Sequence, residues 1–254
     1  MNMFDLSGQS AIVTGGNGGI GRGIALALAG AGASVCIAGR DDTKNDAVGA
    51  EIEAMGAAAI TARCDVNDAE DINGAIEVTR SVFGGVNILV NNAGISAINS
   101  PEAMTDDEWQ SVLDTNLTSV FKFSRAVHGE LVKTGGGKII NIGSMYSIFG
   151  YPLLASYGAS KGGVVQLTKS LATAWAADNI QVNAILPGWF TTDMTAPLDT
   201  DEFREFHDEI IGRTPAGRFG EPEELGGTAV YLASQASDFV TGQSIPVCGG
   251  YSIR

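Results

Sequence analysis

Two hydrophobic periods alternate along the chain. Short, nearly continuous apolar runs rich in Val, Ile and Ala occupy residues 10–14, 34–38, 58–63, 88–91, 138–142, 181–185 and 244–247. Such runs read as strands of a parallel sheet covered on both faces, because a strand with one wet face would alternate apolar and polar positions. Between them lie longer segments with one apolar face at helical spacing, at residues 19–31, 43–55, 69–83, 106–133, 155–178 and 222–234. The alternation of the two predicts an α/β fold, a doubly wound seven-stranded parallel sheet with helices on both faces. No repeat, low-complexity tract or Pro/Ser-rich linker interrupts it, so residues 1–254 are read as one domain.

Composition narrows what that sheet can serve. With 44% apolar and 17% charged residues the chain is globular, and a formal net charge of −14 argues against a nucleic-acid or anionic-membrane surface. Any phosphate must then be held by backbone amides and a few local cations. Cys36, Cys64 and Cys248 are odd in number and far apart, which suits buried free thiols in a reducing, cytoplasmic compartment and indicates neither a disulfide framework nor a metal site. The first ten residues have no basic start and no long apolar run, so no export signal is expected. Residues 23–39 carry no charge and approach bilayer length, but Gly30 and Gly32 divide them into a helix-like and a β-branched half, which fits a buried helix-turn-strand.

The first strand runs into Thr14-Gly15-Gly16-Asn17-Gly18-Gly19-Ile20-Gly21 and then a helix. Glycines there make a tight turn and let a pyrophosphate reach the amides at the helix N-terminus. The end of the second strand distinguishes the dinucleotides: an acid bonds the ribose hydroxyls of NAD, whereas a nearby arginine accommodates the 2′-phosphate of NADP. Gly39 falls where the acid would sit and Arg40 follows it, which favours NADP over NAD, with Asp41 and Asp42 keeping the choice sensitive to the strand's end. Asp65 and Val66 after the third strand, and Asn92, Ala93 and Gly94 after the fourth, lie at the sheet edge where such folds bind ligands.

Tyr157 and Lys161 stand four residues apart on one predicted helix, with Ser144 thirteen residues upstream. A cation beside a tyrosine favours the phenolate, which can then exchange a proton with an alcohol or carbonyl. Any amphipathic helix can carry that spacing, so the pair gains meaning only from the phosphate turn and sheet edge.

Thr14-Gly-x-x-x-Gly-Ile-Gly21, Asn91-Asn-Ala-Gly94, Asn116, Ser144, Tyr157-x-x-x-Lys161 and Pro187-Gly188 occur in the order and spacing of the short-chain dehydrogenase/reductase family, which the chain resembles from end to end. The resemblance implies a Rossmann-like fold and a catalytic tetrad of Asn116, Ser144, Tyr157 and Lys161. Tyr157 would be the general acid/base, Lys161 would also hold the nicotinamide ribose, Ser144 would donate to the substrate oxygen, and the Asn116 backbone would hold a water relaying protons to Lys161. It implies cofactor contacts at Gly15, Asn17, Gly18, Gly19, Ile20, Gly21, Pro187, Gly188, the Phe190 backbone and the Thr192 side chain. Phe190 stands where Ile or Val is usual, a bulkier pocket wall.

Residues 189–213 read as a substrate lid with an acidic helix over 199–211, whose Phe203, Phe206 and Ile210 are expected as lid core. Candidate substrate contacts are Ser144, Met145, Tyr146, Tyr151, Tyr157 and Trp189, with Asn99, Arg204 and His207. Residues 213–222 and the C-terminus are similar to segments of sugar-acid and polyol dehydrogenases within the family. Two alternatives stand beside that reading: a 3-oxoacyl-carrier-protein reductase, disfavoured by the net charge, and a non-catalytic dinucleotide-binding regulator, disfavoured by the intact tetrad. The resemblance also implies a homotetramer built through the helices at 106–133 and 155–178.

Overall fold

The computed structural model describes residues 2–253. Its strands are β1 (Ser10–Thr14), β2 (Ser34–Gly39), β3 (Ala59–Arg63), β4 (Ile88–Asn91), β5 (Gly137–Ile142), β6 (Ile180–Pro187) and β7 (Ser244–Val247). They form one parallel sheet in the order β3-β2-β1-β4-β5-β6-β7. The apolar runs mark these strands to within two residues at either end.

Successive residues of each strand point to opposite faces, so each strand feeds two cores. Ala11 and Val13 of β1 pack with α1 (Gly19–Gly30), α2 (Asp42–Ala54) and α8 (Gly226–Ala233), while Ile12 packs with α3 (Ala69–Phe83), α5 (Ser119–Lys133) and α6 (Ala155–Trp175). That division explains the unbroken apolar runs, since both faces of every central strand are dry. The uncharged stretch 23–39 is the end of α1, a turn and β2, and no helix among the described residues is long and apolar enough to cross a membrane.

The stretch 106–133 is not one helix. It divides into α4 (Asp106–Leu113), a π-turn over Asp114–Thr118 and α5. The wider turn takes in Asn116, whose side chain is fully buried and bonded across to the backbone of Ile95. A π-bulge stabilised by such a long-range contact overrides the helical period that the apolar positions carry. Residues 222–234 are likewise a 3-10 turn (Pro222–Leu225) followed by α8, because Pro222 opens the segment without an amide to donate. In the lid, two 3-10 turns, Ala196–Asp199 and Asp201–Phe203, precede α7 (Arg204–Arg213).

A polar ladder holds the site-bearing elements together. Asn91 at the end of β4 donates to Asn141 Oδ1 on β5 (2.8 Å) and to Ser124 on α5 (3.1 Å), and Asn141 donates to Thr168 on α6 (2.9 Å). Asn91 is therefore a buried rung of the core. All three cysteines are unpaired, Cys36 and Cys64 buried and Cys248 only half-buried with Sγ donating to Ser252 Oγ. Burial pushes the Cys36 thiol up to about 11 and, with help from Asp71, the Cys64 thiol up to about 12, so both are poor nucleophiles.

Candidate active site

Strand order reverses between β1 and β4, and the crevice there opens into a cleft of about 890 Å³ along the C-terminal sheet edge. Its phosphate end is built by the turn after β1. Helix α1 begins without any side-chain cap and without an acid in its first turn, whereas Asp41, Asp68 and Thr105 cap α2, α3 and α4. Its first amides are left for an anion in the cleft. Gly19 enters the helix at φ +46°, and a Cβ on Gly21 would lie 2.1 Å from the Gly15 carbonyl oxygen. The turn is thus shaped around bare backbone, as a pyrophosphate requires. Gly21→Ala is expected to abolish dinucleotide binding, read as loss of NADPH fluorescence enhancement, with the fold retained by circular dichroism.

Thr14 and Asn92 hold that turn against β4. Thr14 Oγ1 accepts from the amides of Asn92 (2.9 Å) and Ala93 (3.1 Å), and Asn92 Nδ2 donates to the carbonyls of Thr14 and Gly15. Asn17 donates to Asn45, whose own amide bonds the Gly39 carbonyl. A Cβ on Gly39 would meet Asn17 Nδ2 at 2.4 Å and Asn45 Oδ1 at 2.6 Å, so a side chain there would have to displace the Asn17–Asn45 pair. Arg40 is exposed and lines the cleft, while the Asp41 carboxylate accepts from the Lys44 amide as the cap of α2. Asp65 and Val66 line the adjacent wall, and Asp68, not Asp65, caps α3.

The proton-transfer end is set by β5 and α6. Ser144 follows β5 in extended conformation and caps the 3-10 turn Met145–Ser147, and Ser147 Oγ bonds the Lys161 carbonyl (2.8 Å), locking that turn to α6. Tyr157 and Lys161 sit one turn apart on α6, with Lys161 Nζ 5.7 Å from the phenol ring centre and donating to the Ile142 carbonyl at 2.8 Å. Burial pushes the Lys161 ammonium down to about 8. Burial also holds the Tyr157 phenol above its ordinary value, opposed by a hydrogen bond from Ser144. The depressed phenol expected from the Tyr-Lys spacing is therefore not a property of the protein alone, because removing the pair from water disfavours both charged forms.

Asn116 is the one member of the predicted tetrad that does not line the cleft. It stands behind the wall, bonding Ile95 through both side-chain ends and Ser160 through Nδ2 (3.2 Å). It remains close: a Cβ at Gly94 would lie 3.2 Å from Asn116 Oδ1 and 3.5 Å from Lys161 Nζ.

Beyond Tyr157 the cleft is aromatic. Tyr146 meets Tyr157 edge-on at 6.2 Å, and Tyr151, Trp189 and Phe206 complete a connected wall with centroids 5.8–6.1 Å apart. Ser144, Met145, Tyr146, Tyr151, Tyr157 and Trp189 all line the cleft, and so do Phe203 and Phe206, while of the three lid residues at helical spacing only Ile210 is buried. The shared helical spacing hid this difference, since Phe203 lies on a 3-10 turn before α7. Asn99, Arg204 and His207 do not line it: Asn99 bonds the Ala103 carbonyl and Glu108, Arg204 pairs with Asp201 at 3.3 Å, and His207 stacks on Phe219 at 5.1 Å.

Pro187, Gly188, Phe190 and Thr192 border the cleft where the lid leaves β6. The Phe190 side chain is buried against Gly220 in the core and its carbonyl accepts from Thr195 Oγ1 (2.6 Å), so it does not thicken the pocket wall as its size suggested. Thr192 bonds Thr195 through its amide and approaches Gly19, placing the lid over the phosphate turn. Asn45, Ser160 and Ile98 are site or support residues that the sequence reading missed, and Leu153, Met194 and Leu198 line the cleft within the segments 145–154 and 189–213 where substrate determinants were expected, though not singled out there. Nothing in the sequence singles out Asn45 from the other polar residues of α2.

A family model described as enoyl-(acyl carrier protein) reductase matches residues 15–252. The gluconate 5-dehydrogenase of Gluconobacter oxydans (strain 621H) is 41% identical over 99% of this chain and 98% of its own. The 3-oxoacyl-[acyl-carrier-protein] reductase FabG of Staphylococcus aureus (strain Mu50 / ATCC 700699) is 40% identical over 95% of this chain and 97% of its own. Among solved structures, a gluconate 5-dehydrogenase from Burkholderia cenocepacia J2315 in complex with NADP and tartrate superposes with a TM-score of 0.93 at 39% identity, covering 100% of this chain and 98% of that one.

Proposed function

This chain belongs to the short-chain dehydrogenase/reductase family, an oxidoreductase acting on CH–OH groups, and from that membership we propose that it moves a hydride between NADP(H) and a secondary alcohol or ketone of a small hydroxylated substrate of the sugar-acid and polyol kind. The observation that carries the reading is the convergence of Ser144, Tyr157 and Lys161 on one end of a cleft whose other end is an uncapped helix N-terminus. Bound in that groove, the dinucleotide supplies the hydride and, when oxidised, a positive ring charge that favours the Tyr157 phenolate.

The protein's own groups do the rest. In the oxidative direction Tyr157 takes the proton from the alcohol oxygen, and in the reductive direction it returns it. Ser144 donates to that oxygen while negative charge builds on it. Lys161, held by the Ile142 carbonyl, stabilises the phenolate, and Asn116 positions the backbone behind it. The aromatic wall excludes water from the reacting carbon.

Arg40 supports the choice of NADP, since it lines the cleft beside Gly39, which carries no acid, and Asp41 is committed to capping α2. Arg40→Ala is expected to raise the KM for NADP by roughly 10–100-fold, the worth of one charge-assisted hydrogen bond, with NAD unchanged. A preference for NAD that survives the substitution would sink that assignment. Residues 1–254 act in this reading as one cytoplasmic catalytic unit with residues 189–213 as its lid. Assembly as a homotetramer would cover Trp109 and Phe121, exposed on α4 and α5; a monomer in sedimentation would refute it. The test of the reaction is a panel of sugar acids, polyols and an acyl thioester, assayed with NAD and NADP in parallel. Turnover of the thioester alone would return the carrier-protein reductase reading, and no turnover at all would sink the enzymatic one.

A further inference from the structure

Resting on the hydride-transfer reading, we propose that the cleft prefers a sugar acid to the polyol of the same carbon chain, its carboxylate accepting from the Tyr146 phenol with the Arg213 guanidinium behind that phenol as the matching charge. Of the three arginines between residues 204 and 218, two have acid partners. Arg204 pairs with Asp201 at 3.3 Å and Arg218 with Glu224 at 2.7 Å. Arg213 has none among the described residues. It closes α7 half-buried, its guanidinium 4.9 Å from the Phe149 ring centre and 4.3 Å from that of Tyr251. Stacking uses the faces of the guanidinium and leaves the N–H donors around its rim unspent. In a chain of net charge −14, such a cation is matched to an anion that the protein does not itself supply.

Phe149 brings that charge to the substrate end. With Tyr146 and Tyr151 it walls a recess of about 340 Å³, and Tyr146, Tyr151 and Leu154 border both this recess and the cleft. Arg213 does not itself line the cleft, so its charge acts across Tyr146. Tyr146 bonds Ser144 Oγ through its amide, and its phenol O–H has no partner among the described residues. Its ring stands edge-on to that of Tyr157 at 6.2 Å, so a polyhydroxy acid whose reacting carbinol meets Tyr157 and Ser144 brings the far end of its chain to Tyr146. Burial pushes the Tyr146 phenol up, which keeps it a donor at working pH, while Arg213 pulls it the other way. A carboxylate at that phenol feels the same field. It loses water on entering an aromatic-walled cleft, and a donor backed by a cation offsets that cost. A hydroxymethyl group gains nothing from the charge. The other cations of the cleft serve elsewhere: Arg40 and Lys44 follow β2 at the adenosine end, and Lys161 donates to the Ile142 carbonyl below Tyr157.

Acid and polyol pairs that differ only in a terminal group test this. The NADPH-loaded protein is titrated with D-gluconate and D-glucitol, and with D-galactonate and galactitol, alcohols that the reduced cofactor cannot oxidise, and binding is read from tryptophan fluorescence. Each acid is expected to bind about tenfold or more tightly than its polyol. Arg213→Gln is expected to abolish that preference by weakening the acids alone, with the polyols within about threefold of the parent, and Arg213→Lys to recover part of it. Tyr146→Phe deletes only a hydroxyl from the aromatic wall and is expected to weaken the acids about tenfold. Equal binding of acids and polyols by the parent, or failure of all of them to bind, overturns the inference while leaving hydride transfer to its own substrate panel. An Arg213→Gln protein that weakens acids and polyols alike has lost structure rather than charge recognition, and one that keeps the acid preference shows that the charge is not used; either sinks the proposal. If Arg213→Gln does not fold, Tyr146→Phe decides, and an unchanged acid preference there overturns it.

Discussion

Replacing Tyr157 by Phe is expected to cut turnover by roughly 10²–10⁴-fold, the usual worth of a positioned proton donor, while NADPH affinity stays within about threefold of the parent. The substitution deletes one hydroxyl. The ring keeps its edge-on contact with Tyr146 at 6.2 Å, and α6 keeps the Ser147 bond that fixes it to the turn after β5. Ser144 keeps its bond to the Tyr146 amide, so the oxyanion donor remains in place. Single-turnover absorbance of NADPH and a separate fluorescence titration distinguish loss of chemistry from loss of binding. Residual turnover above about a tenth of the parent would assign the proton to another group.

Lys161→Met is the second large effect, and its signature is a changed pH profile. The buried ammonium loses its proton near 8 rather than at the ordinary lysine value, because burial penalises the charge. The protonated form is present below that pH and lost above it. Its positive charge favours the Tyr157 phenolate, which burial otherwise disfavours. Alcohol oxidation in the parent is therefore expected to rise with pH as the phenol ionises and to flatten or fall above about 8 as Lys161 neutralises. With methionine in its place the ammonium is absent at every pH. The rise then moves to higher pH, the change near 8 disappears, and turnover near neutrality falls roughly 10²-fold or more. The two apparent values belong to the Tyr157–Lys161 pair, so the comparison is made on whole profiles of kcat/KM from about pH 6 to about 10. An unshifted profile in Lys161→Met would remove lysine from the proton path and leave it a structural role through Ile142.

These two residues were legible early because a helix brings positions four apart together whatever surrounds it. The phosphate turn was legible for a similar reason: its glycines are demanded by backbone that lies within eight residues. Phe203 and Phe206 were misread as lid core because their spacing says that they share a face, while the identity of the facing surface depends on how the lid sits over Tyr151 and Trp189. Asn92 and Asn17 were assigned to the cofactor groove and do line it, yet their side chains serve the turn and Asn45, partners remote in sequence.

By itself the sequence determined the parallel sheet, its strands, the dinucleotide turn and the proton-transfer pair, because each is set by hydrophobic period or by residues close along the chain. Only the tertiary structure decided the π-turn at Asn116, the raised phenol and depressed lysine, the Asn17–Asn45 pair packed on Gly39 and the aromatic wall. Those depend on burial and on contacts between segments far apart in the chain, which determine what a side chain faces and how much water it keeps.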